Sequence, residues 1–295
     1  MIRSIAYILL VVAVSGFGDF QRPTEVIAFQ SDRNGSLDIY IMESDGSDVR
    51  RLTSEDAADF SPEISPRGNC IAFVSDRDGV GHVFIMDIDG ANQRRVSGWL
   101  DEEDEPSWSP DGLSLYLRRH RIGGPELWVV DVHSGAGEQV ADHDVAFKLP
   151  SISPDGTLLL ANVTRDHGME IVVLDLAGGN RRLLATPSDW AMMPRWSPDG
   201  ASITYASAAA PPYRGGAVEI RVMRADGTND RPLTNIGTTT EYPCWSPDGS
   251  RIVFQSYQDG DFELFVANAD GSDMTALTDN EHFDGRPSWG ITDDW

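Results

Sequence analysis

The chain has 295 residues, 40% of them hydrophobic, and a formal net charge of −24. That composition supports a sizeable folded core and argues against gross disorder. The charge argues against a nucleic-acid partner, which needs a basic surface to displace counterions, and disfavours adsorption to anionic lipid.

In chain order, the first 18 residues differ from everything after them. Met1-Ile2-Arg3 gives one positive charge, residues 5–14 are apolar, and Ala13-Val14-Ser15 places small residues before Gly16. A charged start, an apolar run and a small-residue exit predict a secretory signal peptide over 1–18. The run is short for a membrane span, and no cysteine follows it to carry a lipid anchor. The expected mature protein is periplasmic or secreted, a monomer without a membrane span, with 19–295 as one domain.

From Val26 onward one internal order recurs. Pro62-Glu63-Ile64-Ser65 is a short extended piece ending in the turn Pro66-Arg67-Gly68. Ile71-Ala72-Phe73-Val74 and Val83-Phe84-Ile85-Met86 are β-rich runs, each closed by an Asp-Gly turn, and Arg94-Arg95-Val96 is a shorter polar one. Asp-Gly between apolar runs is a strong hairpin signal, because both central residues of the favoured turn need positive φ. The turn returns as Trp108 to Gly112, Ile152 to Gly156, Trp196 to Gly200 and Trp245 to Gly249. Ser65, Ser109, Ser153 and Ser197 recur every 44 residues; Ser246 follows after 49 and Gly290 after a further 44. Four antiparallel strands per period of this length predict an all-β fold, a β-propeller with four-stranded blades. The first unit, from Val26, lacks the strand that opens every other unit. The stretch after Thr278 has only that strand, at 286–290. Joining the two closes a ring of six blades.

Alternating strand direction sorts the loops onto two faces. The Ser-Pro-Asp-Gly turns share one face. The opposite face holds the blade-to-blade loops, where the repeats differ: Trp99, the acidic run Asp101, Glu102, Glu103, Asp104 and Glu105, then Trp190, Met192 and Met193, Glu241 and Tyr242, and His282, Phe283, Asp284 and Arg286. The one insertion, Ala208 to Gly216, lies there too and carries Tyr213 and Arg214. Aromatics with charge at the rim are what protein interfaces use. The expected partner-binding set is therefore Trp99, Asp101, Glu102, Glu103, Asp104, Glu105, Trp190, Met192, Tyr213, Arg214, Glu241, Tyr242, Phe283 and Arg286.

Other features read as structure. Trp108, Trp196, Trp245 and Trp289 recur at one blade position and are expected as core wedges. Cys70 and Cys244 lie in different units and are expected as free thiols. Asp32-Arg33-Asn34-Gly35, Asp76-Arg77-Asp78-Gly79 and Asp87-Ile88-Asp89-Gly90 resemble the start of a calcium loop but lack its closing glutamate, so turn chemistry is the better reading, with calcium the only cofactor left open. The six histidines share no metal-ligand spacing. No nucleophile elbow, zinc motif or phosphate loop is present, so no catalytic residue is assigned.

The stretch Pro194-Arg195-Trp196-Ser197-Pro198-Asp199-Gly200, with the Ser-Asp-Arg-x-Gly, Asp-Gly and Leu-Thr pieces of each unit, resembles the propeller repeat of the TolB family, also found in tricorn-type and dipeptidyl-peptidase-type propellers. The resemblance covers 26–290. It implies an exported six-bladed scaffold that binds a peptidoglycan-associated lipoprotein over the propeller. The α/β domain that precedes the TolB propeller has no counterpart between the leader and the first strand. The favoured expectation is a non-enzymatic envelope scaffold binding a protein or peptide through its blade-to-blade face. The alternatives are a polysaccharide lyase or hydrolase working in the channel with a divalent cation, or a detached sensor module. Arg195 and Glu63 fall on innermost strands, but Ser107, Ser151, Cys244 and Ser288 hold the equivalent positions, so the pair reads as filler.

Overall fold

The structure is a computed structural model. It describes residues 23–140, 147–166, 168–184, 186, 190–211 and 216–293; the leader, Tyr213 and Arg214 lie outside them. The described chain is all-β, in sets of four strands. One set comprises β1 (Thr24–Ser31), β2 (Asp38–Glu43), β3 (Arg50–Arg51) and the last strand, β24 (Asp284–Thr292). The next holds β4 (Asp59–Ile64), β5 (Cys70–Ser75), β6 (His82–Asp87) and β7 (Arg94–Arg95). Then come β8 (Glu103–Trp108), β9 (Ser114–Arg121), β10 (Gly124–Asp131) and β11 (Gly137–Gln139). They are followed by β12 (Phe147–Ile152), β13 (Leu158–Arg165), β14 (Gly168–Asp175) and β15 (Arg181–Leu184). The last two sets are β16 (Trp190–Trp196), β17 (Ser202–Ala208), β18 (Val218–Arg224) and β19 (Arg231–Pro232), and β20 (Thr240–Trp245), β21 (Arg251–Gln258), β22 (Asp261–Asn268) and β23 (Thr275–Ala276).

Hydrogen bonding gives five sheets, four of four strands and one of eight. The eight-stranded sheet arises because one parallel pairing, Met169 with Trp190, bridges β14 to β16. Within each set neighbouring strands are antiparallel, and β24 pairs with β1 from Thr292 opposite Thr24 to Asp284 opposite Ser31. The core lies between sets. One cluster combines Val26, Ile39 and Ile41 with Ile71, Phe73 and Met86. Another combines Ile27, Phe29 and Met42 with Val253, Leu264 and Trp289. A four-stranded sheet with two apolar faces is stable only when both are covered, and these clusters cover them.

The Ser-Pro-Asp-Gly turns repeat one bonding scheme. Ser109 Oγ donates to Asp111 Oδ1 at 2.6 Å and accepts from Ser114 N–H at 2.9 Å, while Gly112 N–H closes the turn on Ser109 O at 2.9 Å. The hydroxyl–carboxylate bond is 2.6 Å at Ser153, Ser197 and Ser246 as well. The Ser-Asp-Arg pieces form a second device. Arg33 lies over the rings of Phe29 and Tyr40 and bonds Asp284 at 2.7 and 2.8 Å; Arg77 lies over Phe73 and Phe84 and bonds Asp59. Asp32, Asp76 and Asp87 open tight turns, each accepting from the glycine three residues on. Trp108, Trp196, Trp245 and Trp289 are buried in the inter-set clusters, and both cysteines are free.

Candidate functional site

In the first strand of each set, two residues oppose one on the neighbouring strand. The pair is always a residue followed by proline: Ser61-Pro62, Glu105-Pro106, Leu149-Pro150, Met193-Pro194, Tyr242-Pro243 and Arg286-Pro287. Proline has no N–H for the ladder and is tolerated in a sheet where a bulge frees it from one. The residue before it is left-handed in all six, with φ between 49° and 55°. A bulge re-aims its side chain out of the strand's alternation, and the six residues border one pocket together with five of the prolines, Glu63 and Arg195.

At five of the six bulges, all but that of Glu105, the N–H of the left-handed residue is caught by a side chain. Gln30 Oε1 accepts from Ser61 N–H, Asn162 Oδ1 from Met193 N–H and Gln255 Oε1 from Arg286 N–H, at 2.8 to 2.9 Å. Glu105 Oε2 accepts from Leu149 N–H at 2.7 Å, and the Met193 sulfur sits 3.4 Å from Tyr242 N. At the wall of the pocket the Arg286 guanidinium lies over the Tyr242 ring, 4.5 Å from its centroid, and donates to Ser61 Oγ at 2.5 Å. Burial pushes the Glu105 and Glu241 carboxyls up from their usual range, with Arg118 and Arg286 respectively acting against it. The pocket's own volume is about 40 Å³.

Two residues past the bulge, Glu63 and Arg195 meet from opposite parts of the chain. Arg195 Nη1 and Nη2 stand 3.3 and 3.2 Å from the two Glu63 oxygens. Ser288, Ser151 and Cys244, at equivalent positions, turn sideways instead and accept the N–H groups of Ile64, Trp196 and Trp289. The ion pair borders both the small pocket and a larger chamber of about 330 Å³, which is lined by Trp108, Trp196, Trp245, Trp289 and the prolines of the turns. It therefore forms the floor between them. Burial pushes the Glu63 carboxyl up against the pull of Arg195, and drives the neighbouring Cys244 thiol up to about 11.

The sequence-derived set divides against this geometry. Glu105, Tyr242 and Arg286 come together at the pocket, and Glu241 lies beside it, accepting from Gln255 Nε2 at 3.2 Å. The acidic run is not a uniform surface. Glu103 is wholly buried on β8, where it accepts from Val83 N–H and Ser97 Oγ, so it latches two sets and does not face a partner. Asp104 is held by Arg118 Nε and Nη2 at 2.7 and 2.6 Å and by His120 at 3.0 Å. Asp101 holds Arg119, whose guanidinium lies over Trp99 and Trp128. Glu102 is exposed. Met192 is buried against Ala206, Ala208 and Val218, with Trp190 packed at the edge of that cluster; the neighbouring Met193 is the methionine that reaches the pocket. Phe283 stacks edge-on against Phe262.

Ser61 and Leu149 escape sequence reasoning, and Glu63 and Arg195, read there as filler, meet as an ion pair. The signal for the first two is present: prolines at 62, 106, 150, 194, 243 and 287 follow the repeat spacing. Among the described residues, one group has metal-ligand spacing, Glu102, Asp104 and His120. The Arg118 guanidinium bonded to Asp104 opposes a cation there. No described helix is long and apolar enough to cross a membrane.

Comparison with known proteins adds the following. The family described as TolB beta propeller domain matches residues 18–103 and 161–294. No curated protein matches the sequence. Among solved structures, TolB from Acinetobacter baumannii superposes with a TM-score of 0.78 at 19% identity, over 92% of this chain and 67% of that one. A putative TolB from Agrobacterium tumefaciens gives 0.70 at 19% identity, over 92% and 98%. An oligogalacturonate lyase in complex with manganese gives 0.57 at 17% identity, over 87% and 74%. At these identities the likeness is one of fold.

Proposed function

The chain belongs to the family of the TolB beta propeller domain, and from that premise we propose that it is a non-enzymatic scaffold of the cell envelope that takes a protein or peptide partner at the proline-bulge pocket. In this reading the sets are six blades, and the pairing of β24 with β1 closes the ring. The pocket is then one mouth of a central channel whose floor is the Glu63–Arg195 pair. The predicted leader over 1–18 and the family resemblance are what support an exported, periplasmic location.

The observation that carries the proposal is the contrast between backbone and side chain at the bulges. The fold repeats the same φ, the same proline and the same aim in every set, yet presents serine, glutamate, leucine, methionine, tyrosine and arginine to one pocket. A purely structural ring would repeat its side chains as it repeats its tryptophans. Tyrosine, methionine and arginine are also the residues enriched where proteins recognise one another. Among the described residues lining the two spaces there is no histidine, and Glu63 and Arg195 between them neutralise each other.

A photo-crosslinking residue at Leu149 tests the reading, with the same group at Ala201 on the opposite turn face as control. Incubated with envelope extract, the Leu149 variant should yield a discrete protein adduct that the Ala201 variant does not. Absence of an adduct from Leu149 and from Met193 alike would sink the proposal. So would manganese-dependent cleavage of oligogalacturonate that Arg195→Ala abolishes, which would favour the lyase alternative.

A further inference from the structure

Resting on that reading of the mouth, we propose that the partner's anchor is a single carboxylate, seated in the pocket against the Arg286 guanidinium, which makes Arg286 the specificity-determining residue for an acidic peptide.

Charge balance in the lining singles Arg286 out. The pocket has four charged residues, Glu63, Glu105, Arg195 and Arg286. Glu63 and Arg195 pair at 3.2 Å, and Glu105 lies 3.3 Å from Arg118. Arg286 alone has no carboxylate within 4.0 Å among the described residues. Its guanidinium carries five N–H donors, and the bond to Ser61 Oγ uses one of them. A planar, permanently charged fork with free donors is matched by a carboxylate in two parallel bonds.

The arginine is also held ready. Its backbone is left-handed at φ 49°, tied by its N–H to Gln255 and locked by Pro287. On the other side the chain passes close to its neighbours at Gly285, where a Cβ would stand 2.4 Å from Gln255 Oε1 and 2.6 Å from the Phe283 ring. The Tyr242 ring supports the guanidinium face. A donor fixed before the ligand arrives loses little further freedom on binding.

Size and surroundings determine which carboxylate. The space of about 40 Å³ exceeds the roughly 10–15 Å³ that one water needs, so a carboxylate fits in it. Glu105 and Glu241 flank the arginine beyond pairing distance, both close enough to feel its charge. They repel a second anion, so the site selects one carboxylate in an otherwise neutral or basic segment and rejects a uronate chain with an acid on every ring.

A bead library of random octapeptides, made both as free acids and as C-terminal amides, tests this on the purified protein. Wild type should enrich peptides with one Asp or Glu in both formats if a side chain is the anchor, or any sequence in the free-acid format alone if the C-terminus is. Arg286→Gln should erase that preference and weaken the best peptide about 10- to 100-fold, the usual range for a lost charge-assisted bond; Arg286→Lys should keep part of the preference, and both variants should melt close to wild type. Enriched peptides without a carboxylate, or equal binding by Arg286→Gln, would overturn the carboxylate anchor and leave the binding site standing. No enrichment by wild type would overturn both. Trigalacturonate binding more tightly than every peptide, and lost in Arg286→Gln, would overturn the peptide in favour of a glycan.

Discussion

Ser61, Glu105, Leu149, Met193, Tyr242 and Arg286 hold a conformation that L residues avoid, at a cost of order 1 kcal/mol each. At all of them but Glu105, side chains from neighbouring sets offset that cost by satisfying the N–H groups the bulges expose. Gln255 is used at both ends, since Oε1 accepts from Arg286 and Nε2 donates to Glu241. Gln255→Ala leaves the half-buried Arg286 N–H without its acceptor and is expected to destabilise by about 1 kcal/mol in urea unfolding. Gly68 is stricter. It has φ +69°, and a Cβ would stand 1.6 Å from Ile291 O, a backbone atom of β24 that cannot step aside. Gly68→Ala should therefore cost more than Gln255→Ala, and a stability within about 0.5 kcal/mol of wild type, the range of neutral surface changes, would show that β24 does not run past this turn.

The Ser-Pro-Asp-Gly turns join first and second strands, and each concentrates its bonds on one aspartate. Hydrogen bonds from Ser246 and Ser250 hold the Asp248 carboxyl down to about 2, and the serines before Asp111, Asp155 and Asp199 lower theirs in the same way. The folded value lies below the unfolded one, near 3.9. The ionised turn therefore contributes stability above about pH 4 and loses it as pH falls toward 2. Asp248→Asn should flatten that part of the acid limb when unfolding is followed from pH 5 to 2, slightly, because the group is exposed; an unchanged limb would mean the turn bond adds nothing. Glu63, Glu105 and Glu241 act in the opposite sense. Burial raises their folded values, so protonation favours the fold at them and their contribution fades as pH rises. The turn aspartates thus act against three carboxylates that lie on first strands ahead of the turns.

At the scale of the molecule, β24 completes the set begun by β1, roughly 260 residues away in sequence, and its Trp289 fills the cluster with Ile27, Phe29 and Val253. Removing residues 284–295 uncovers a full strand edge and a core face together. That truncation should lose cooperative thermal unfolding and bind a hydrophobic dye, whereas removing 294–295 alone should do neither; a truncated chain that still melts as one unit would show that the sets are held pairwise and not by closure. Much of this level was legible in the residues. The 44-residue period, the apolar alternation and the Asp-Gly and Pro-Asp-Gly turns are local signals, because hairpin pairing depends on residues a few positions apart, and they determined the all-β class and the four strands per set. The recurring prolines were legible as well, but what they do was not. Their bulges acquire meaning only when six of them face one space. Glu63 and Arg195 stand 132 residues apart, Glu103 looks like surface until β8 tucks it beneath Val83 and Ser97, and Met192 and Met193 differ only in which side of a bulge they occupy. Such choices depend on where distant strands converge, and no local propensity encodes that. The chain by itself determined the repeating unit; the packing of the units around their common space decided which side chains meet there.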